Sequence, residues 1–273
     1  GKTSVAMSLL QLQADNAKIT SGSSSLDGIE MVGMSESELR KVRWDGISIV
    51  FQGAMNAWNP VVKVGEQIRE AIREHYPNNT KIQNSEKIES LFKMVGLDSS
   101  IMDRFPHELS GGMKQRAVIA LALSCDPKVV IADEPTTALD VVIQDQILKE
   151  IKKVQELLGL SLIYISHDIA VIAEMTDQMA VMYAGSIVEI GPTDQVFSNP
   201  KHAYTRLLLE STPSVVGEKK KLRSLEGEPP SLIDEDAGCS FSPRCPDPSD
   251  NCKSGNSEMG LIEVANGHFA DKC

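Results

Sequence analysis

The chain has 273 residues, a formal net charge of −11 and an isoelectric point near 5.0, a length that suits one large domain or one domain with a smaller appendage. The acidic balance disfavours nucleic acid as a partner, because sequence-independent binding to phosphates needs clustered Lys and Arg. No apolar run reaches the roughly 18 to 20 residues that cross a bilayer, and no signal-peptide pattern opens the chain, so we expect a soluble, cytosolic protein that can still dock on a membrane protein.

Strand-length apolar segments alternate with helix-length segments from Gly1 to about Thr212. Four segments predict β-strands: Ile47–Phe51, Lys128–Asp133, Leu162–Ser166 and Gln178–Tyr183. The middle two lack polar alternation, so we expect them to be buried on both faces. The pattern predicts an α/β fold with a mainly parallel sheet.

Three segments outside these strands carry helix signals. Ser35 is followed three residues later by Glu38, which is the spacing of a capping box. A second helix stops at Gly96, and its apolar face consists of Ile88, Leu91, Phe92 and Val95. A third spans Ile143–Leu158, with one stripe formed by Ile147, Ile151, Val154 and Leu158. Residues from about 56 to 116 contain helices and no convincing strand, which predicts a helical insertion.

The composition changes after Pro213 to charged, Pro-rich and Cys-bearing segments. This change predicts a domain over residues 1–212 and a small extension over residues 213–273. The extension carries four of the five cysteines: Cys239, Cys245, Cys252 and Cys273. In a reducing compartment such a set favours a metal site over disulfides. Cys125 follows an apolar helix and is predicted to be a small core residue.

Polar residues follow three of the predicted strands. Asp133 and Glu134 end one strand at the edge where α/β proteins place their ligands, so one carboxylate can organise a magnesium shell while the other orients or deprotonates a water. Gln52 and His167 end two other strands. Each residue also has a simpler interpretation, because carboxylates in loops are mostly solvated and a histidine at a strand end is often structural.

Two glycine-containing motifs precede helix patterns. "LSGGMKQR" offers the Ser110 hydroxyl and the open amides of Gly111 and Gly112 at a predicted helix N-terminus, which suits an anion. A simple glycine-containing helix cap explains these residues equally well. The opening "GKTS", residues 1–4, matches the final part of a phosphate-binding loop.

In this order and spacing, "GKTS", "FQ", "LSGGMKQR", "IADEP", "ALD" and "SHD" resemble the ATP-binding subunit of an ATP-binding-cassette (ABC) transporter over residues 1–212. The resemblance implies a P-loop NTPase fold with an inserted helical subdomain. It implies ATP and Mg²⁺ as ligands, with phosphate contacts from Gly1, Lys2, Thr3 and Ser4. It also implies magnesium coordination by Thr3, Gln52 and Asp133.

The same resemblance implies catalytic roles for Glu134, Gln52 and His167. Glu134 would act as the base or position the water, Gln52 would sense magnesium and the water, and His167 would contact the γ-phosphate. The set Ser110, Gly111 and Gly112 would close on nucleotide bound by a partner subunit, and Asp140 would lie at the interface between subunits. Hydrolysis would then depend on dimer closure.

A narrower resemblance concerns "FQGAMNAWNP", "NPKHAYTRLLLE" and "GCSFSPRC", which are similar to segments of the peptide and nickel import branch. It implies a second ATPase subunit, identical or different, two permease subunits, an external binding protein and a peripheral position on the cytoplasmic face of the cell membrane. It also implies a [4Fe–4S] cluster on Cys239, Cys245, Cys252 and Cys273, with zinc or unligated thiols as alternatives. Dipeptide, oligopeptide, nickel and sugar all stay open as substrates.

Two other functions stay open. One is a soluble ABC-type ATPase without permease partners, and the other is a catalytically inactive fragment, because the strand and glycines that precede "GKT" in phosphate-binding loops are missing. We expect the gene to encode a few dozen further N-terminal residues, including the aromatic residue that stacks on adenine in relatives.

Overall fold

A computed structural model describes residues 1–137, 139–211, 227–231, 238–250, 252 and 260–271. The chain divides into two compact units. The first is Thr3–Ile165, and the second combines Gly1–Lys2 with Ser166–Cys273. In the described part of the chain, no helix is both long and apolar enough to cross a bilayer.

The described residues of the first unit form five strands and six helices. The strands are β1 (Ser25–Leu26), β2 (Ile29–Glu30), β3 (Ile47–Val50), β4 (Val129–Asp133) and β5 (Ser161–Ile165). The helices are α1 (Lys2–Leu9), α2 (Glu36–Val42), α3 (Val64–His75), α4 (Lys81–Met94), α5 (Gly111–Ala122) and α6 (Val141–Leu158). Lys2, the first residue of helix α1, is assigned to the second unit.

A three-stranded parallel sheet of order β3-β4-β5 forms the centre of the first unit, as predicted. Its central strand is buried from Val130 onward, and Ile131 packs with Ala6 and Leu10 of the α1 segment. The prediction that β5 is buried on both faces was wrong, because β5 is an edge strand among the described residues and Ile163 is 39% exposed.

Residues 56–116 hold α3, α4, short 3₁₀ turns and the start of α5 and contain no strand, and their assignment to a separate helical subdomain stays a prediction. Helix α4 begins at Lys81, seven residues before the first residue of its predicted apolar face, because Thr80 and Gln83 form a capping box. It ends as predicted: Gly96 has a φ of +68°, a left-handed conformation that glycine adopts without steric cost.

The second unit contains α7 (Ile169–Met175), β6 (Gln178–Tyr183), β7 (Ser186–Pro192), α8 (Thr193–Ser198), α9 (Ala203–Glu210), β8 (Leu261–Ala265) and β9 (His268–Asp271). Its sheet is antiparallel, with the order β6-β7-β9-β8. The sequence predicted Gln178–Tyr183 as a strand without assigning it a partner, and its observed partner β7 is antiparallel. The reason is a tight turn, in which Ala184 and Gly185 both have positive φ and return the chain directly into β7.

A buried polar network joins three segments of the second unit. The carboxylate of Glu189 on β7 accepts hydrogen bonds from the backbone N–H groups of Lys201 and His202, and it lies 2.7 Å from Nε2 of His268 on β9. Glu189, His202 and His268 are all fully or almost fully buried. The network fixes the start of α9 and the C-terminal hairpin β8–β9 to β7.

Candidate active site

The carboxyl ends of β3 and β4 bring three predicted site residues together. Gln52 follows β3, Asp133 ends β4 and Glu134 comes next. The Gln52 amide Nε2 donates to the Glu134 carboxylate oxygen Oε2 at 3.1 Å. Parallel pairing of Val50 with Ala132 explains this meeting, because neighbouring parallel strands end at the same sheet edge.

Asp133 is 1% exposed, and its oxygen Oδ2 has no hydrogen-bond partner among the described residues. A buried carboxylate oxygen without a donor costs free energy in the ligand-free protein. A hydrated Mg²⁺ would supply the missing donors, since magnesium keeps several waters and needs only one or two protein carboxylates. The donor set at this edge therefore fits magnesium bound together with phosphates.

Glu134 has a φ of +48°, a left-handed conformation that is uncommon for residues other than glycine. Its backbone N–H donates to the Ile165 carbonyl at 2.9 Å, and its Oε2 accepts from the Thr137 hydroxyl at 3.0 Å. Such conformations persist only where surrounding contacts hold them, and they concentrate at functional sites. The contacts aim the Glu134 carboxylate toward Gln52.

Two predicted site loops are helix caps. The Ser110 hydroxyl accepts from the Met113 N–H at the start of α5, and the Asp140 carboxylate accepts from the Ile143 N–H at the start of α6. A Cβ placed on Gly111 would lie 3.5 Å from the Leu139 side chain, so the Ser110–Gly112 and Leu139–Asp140 loops are neighbours. Both loops leave exposed residues for contacts with another molecule.

The remaining predicted residues lie at the start of α1 and after β5. Lys2, Thr3 and Ser4 form the exposed first turn of α1, directly after Gly1. His167 lies two residues beyond β5, in the second unit together with Gly1 and Lys2. The first unit thus assembles Gln52, Asp133 and Glu134 by direct contact or adjacency, whereas the roles of the other residues stay predictions.

Thr137 contacts Glu134 and was not among the site residues predicted from the sequence. The signal was present in "DEPTT", where a hydroxyl three residues after a carboxylate can reach back to it when the segment turns. Thr137 thereby fixes the position of the Glu134 carboxylate.

Three of the four predicted cysteine ligands belong to the core of the second unit. Cys239 and Cys252 are buried, joined by a backbone hydrogen bond of 3.3 Å, and Cys245 packs against the same cluster. Cys273 lies outside the described residues. No group of three or more His, Cys, Asp and Glu side chains within the described ranges is arranged to hold a metal ion. The described donors therefore do not fit a cluster as they stand. Cys125 is a fully buried free thiol, as predicted.

Comparison with protein-family models gives two matches. The model described as "ABC transporter" covers residues 1–137, and the model described as "Oligopeptide/dipeptide transporter, C-terminal region" covers residues 188–252. The chain belongs to the ABC transporter family. Its C-terminal part is that of the oligopeptide and dipeptide branch. Membership of this family supports ATP hydrolysis by the full-length subunit.

Similar proteins support the same branch of ABC ATP-binding subunits. The chain is 40% identical to a dipeptide transport ATP-binding protein of Caldanaerobacter subterraneus subsp. tengcongensis, over 93% of this chain and 78% of the relative. It is 41% identical to an oligopeptide transport ATP-binding protein of Bacillus subtilis, over 92% of this chain and 77% of the relative. It is 37% identical to a dipeptide transport ATP-binding protein of Escherichia coli, over 96% and 80%.

Solved structures of ABC cassettes have the same fold. The dimeric structure of the bacterial ABC transporter cassette MJ0796 matches with a TM-score of 0.61 at 27% identity, over 70% of this chain and 80% of that chain. A second structure of MJ0796, in a post-hydrolysis state with ADP and Pi, matches with a TM-score of 0.60 at 26% identity, over 71% and 82%. The predicted ABC-type ATPase fold is confirmed.

Proposed function

We propose that this subunit binds and hydrolyses Mg-ATP and thereby drives import of dipeptides or oligopeptides, with nickel as the alternative cargo of the branch. The observation that carries the proposal is the Gln52–Glu134 contact beside the buried oxygen of Asp133, which has no hydrogen-bond partner in the described part of the chain. At one sheet edge, the Glu134 carboxylate would activate the water, the Gln52 amide would sense magnesium and the water, and the Asp133 carboxylate would accept hydrogen bonds from the waters around the metal. The names of the relatives, which are dipeptide and oligopeptide transport proteins, support the substrate class.

In the proposed reaction, the protein positions charge around a transferring phosphoryl group. Bound Mg²⁺ would supply positive charge that offsets the negative charge on the phosphates. Asp133 would hold the metal's water shell, and Thr3 and Gln52 would complete its protein contacts. Glu134 would orient the attacking water and accept its proton. Lys2, with the amides of Gly1 and Ser4 near the α1 N-terminus, would meet the phosphates.

A second ATP-binding subunit would complete the site. Ser110, Gly111 and Gly112 would contact the nucleotide held by that subunit, Asp140 would line the shared interface, and His167 would contact the γ-phosphate. The exposure of Ser110, Gly111 and Asp140 agrees with this role. The dimeric form of the matching ABC cassette supports pairing, either with a second copy or with a related chain.

An apolar hollow next to Gln52 supports a permease as the membrane partner. Its volume is about 280 Å³, and its lining includes Leu10, Trp44, Ser48, Phe51, Trp58 and Val118. Within the described residues, the buried Ser48 Oγ and Trp58 Nε1 atoms have no hydrogen-bond partner. A short amphipathic helix of the permease would fill the hollow and supply acceptors to both groups. Such docking would place the subunit on the cytoplasmic face of the membrane.

A metal centre in the tail stays a proposal on the resemblance of the cysteine spacing. Cys239 and Cys252 already lie side by side, and a [4Fe–4S] cluster or a zinc ion would require Cys245 to approach them; the fourth predicted ligand, Cys273, lies outside the described residues. Its role would be structural, because hydrolysis transfers no electron. Iron, sulfide and zinc analysis of anaerobically purified protein tests this proposal, and absence of iron and sulfide with stoichiometric zinc would exclude the iron–sulfur cluster.

The Glu134→Gln variant tests the proposed catalysis in the transporter complex. We expect the hydrolysis rate to fall on the order of 100- to 10,000-fold, the range for loss of a general base, while Mg-ATP binding is retained. Thr137→Val is the milder comparison, since it removes one contact that holds Glu134. Hydrolysis and transport by Glu134→Gln at the wild-type rate would refute the proposed function.

A further inference from the structure

Helices α5 and α6 each begin at one of the loops proposed to meet nucleotide or partner. Ser110 caps α5, and Asp140 caps α6. The distance and rotation between the two helices therefore set the relative position of the two loops. Whatever fixes the packing of α5 on α6 also fixes this part of the composite site.

The N-terminal ends of the two helices approach so closely that only glycine fits. A Cβ on Gly112 would lie 2.9 Å from Cγ2 of Ile143, closer than real Cβ contacts. The Ile143 methyl group is attached to a branched, stiff side chain and cannot swing away easily. This contact fixes the separation of the helices at their first turn, but a single point of contact leaves their rotation about it undetermined.

A charged pair farther along the helices supplies a second point. Nε of Arg116 lies 2.8 Å from Oε2 of Glu150, although the two atoms are not aligned as a directional hydrogen bond, and Arg116 Nη2 also reaches Oε1 of Gln146 at 3.4 Å. The two side chains are only 18% and 26% exposed. On its other side the Glu150 carboxylate lies against Gly96, where a Cβ would be 3.0 Å away.

The pair is poorly suited to a purely stabilising role. Burial raises the pKa of Glu150, and the nearby Arg116 opposes that shift. Two charges removed from water recover little net free energy, and replacing such a pair by apolar side chains of similar volume is often neutral or stabilising. A partly buried ion pair can instead fix the orientation of the two helices that carry it.

We propose that Arg116 and Glu150 are positioning residues for ATP hydrolysis, which hold the Ser110–Gly112 loop in register with the Asp140 loop. The inference rests on the proposed function, because it assigns a task within the same composite site. Neither side chain touches the reacting atoms. The pair acts through the rotation of α5 on α6.

The test compares three variants of this subunit in the assembled transporter. Arg116→Glu breaks the pair, Arg116→Glu with Glu150→Arg restores it in reverse, and Arg116→Met with Glu150→Leu replaces it by apolar groups. Lys149→Met is the matched control, since it removes an exposed ion pair with Asp145 on the same helix. The measurements are kcat and KM for ATP, the Kd of the subunit for Mg-ATP, and the unfolding midpoint.

We expect kcat to fall at least about tenfold in Arg116→Glu, which corresponds to about 1.4 kcal/mol, while KM and Kd stay within about twofold. The reversed pair should recover most of kcat. The apolar pair should keep the wild-type unfolding midpoint and still lose kcat, a combination that a merely structural role would not produce. Lys149→Met should behave as wild type.

The inference is overturned if the apolar pair hydrolyses ATP at the wild-type rate, or if the reversed pair folds normally but stays as slow as Arg116→Glu. These outcomes can be distinguished from an error in the proposed function. If the proposed function were wrong, the wild-type complex would not hydrolyse ATP, or the Glu134→Gln variant would hydrolyse it at the wild-type rate.

Discussion

Unfavourable local features concentrate at the end of β4. Asp133 buries a carboxylate oxygen without a partner among the described residues, and Glu134 adopts a left-handed backbone conformation. Both features reduce the stability of the ligand-free protein, and both place charge where a hydrated cation and a water would use it. At the scale of single residues, the site therefore lowers the folding stability of the ligand-free protein and holds its charged groups where they can bind magnesium and water.

The Asp133→Asn variant measures how much folding stability the buried carboxylate costs and how much ligand binding depends on it. We expect the ligand-free variant to be more stable by about 1 kcal/mol, because an unpartnered amide costs less to bury than an unpartnered carboxylate. The increase in unfolding temperature that Mg-ATP gives to the wild type should disappear. Thermal unfolding with and without Mg-ATP measures both effects, and a variant destabilised without ligand would contradict the interpretation of Asp133.

The sequence predicted the key residues of this edge but not their full contacts. Asp133, Glu134 and Gln52 could be placed together because parallel strands end at a common edge. The spacing in "DEPTT" permits the bond from Thr137 to Glu134, but the backbone conformation that accompanies it, a positive φ at Glu134, is one that no local propensity favours. The cap roles of Ser110 and Asp140 agree with the known preference of Ser and Asp for helix N-termini.

At the scale of elements, two adjacent glycines of one motif have different surroundings. A Cβ on Gly111 would meet only ordinary van der Waals contacts, whereas a Cβ on Gly112 would collide with Ile143 of α6. Glycine at position 112 is therefore required by helix packing, and glycine at position 111 is not. Within "LSGG", the second glycine permits close packing of α5 on α6, whereas the first glycine has no such packing requirement.

This difference predicts opposite effects on folding. Gly112→Ala should destabilise the first unit by about 1–3 kcal/mol, the usual cost of overpacking. Gly111→Ala should be neutral or stabilising by up to about 1 kcal/mol, because alanine favours helix. Adding Ile143→Ala to Gly112→Ala removes the colliding methyl group and should recover part of the loss. Denaturant unfolding of the four proteins checks the prediction, and equal effects of the two glycine substitutions would contradict it.

Strand partners were harder to predict than strands. The segment Gln178–Tyr183 was correctly predicted as a strand, but its antiparallel partner β7 depends on a two-residue turn whose alanine takes a conformation it rarely adopts. The edge position of β5 was equally hidden, because an apolar run of five residues looks the same at the edge and in the middle of a sheet. Hydrophobic periodicity therefore predicts which segments form strands, whereas the connections between strands decide which strands pair.

At the scale of the whole molecule, each compact unit has an apolar core of its own, which includes Ile131 in the first unit and Phe241 in the second. Separate cores favour separate unfolding transitions. Substitutions confined to one unit should then change one transition and leave the other in place.

His202 provides a pH-dependent test of this separation. Burial lowers the pKa of His202 below its ordinary value of 6.5, so the unfolded chain takes up the proton more readily. Its contribution to stability is therefore complete above about pH 6.5 and is lost as the pH falls through the folded-state pKa. Protonation would also remove the Nδ1 acceptor for the Tyr204 N–H.

Calorimetry between pH 7.5 and pH 5.5 should show the transition of the second unit moving to lower temperature, and His202→Asn should reduce that shift while it keeps a helix-capping acceptor. The transition of the first unit should not respond to this substitution. His107→Asn, which changes an exposed histidine of the first unit, is the control. A pH shift of the second transition that His202→Asn leaves unchanged would contradict the assignment.

The hollow beside Gln52 has a spectroscopic consequence. The chain contains two tryptophans, and both of them, Trp44 and Trp58, line this hollow. Indole emission moves to shorter wavelength when water around the ring is replaced by apolar groups. The intrinsic fluorescence of the isolated subunit therefore reports on a single location, and a helix seated in the hollow would shift the emission to the blue. Docking of a tryptophan-free segment in the hollow would then be visible in the emission of this subunit without any added label.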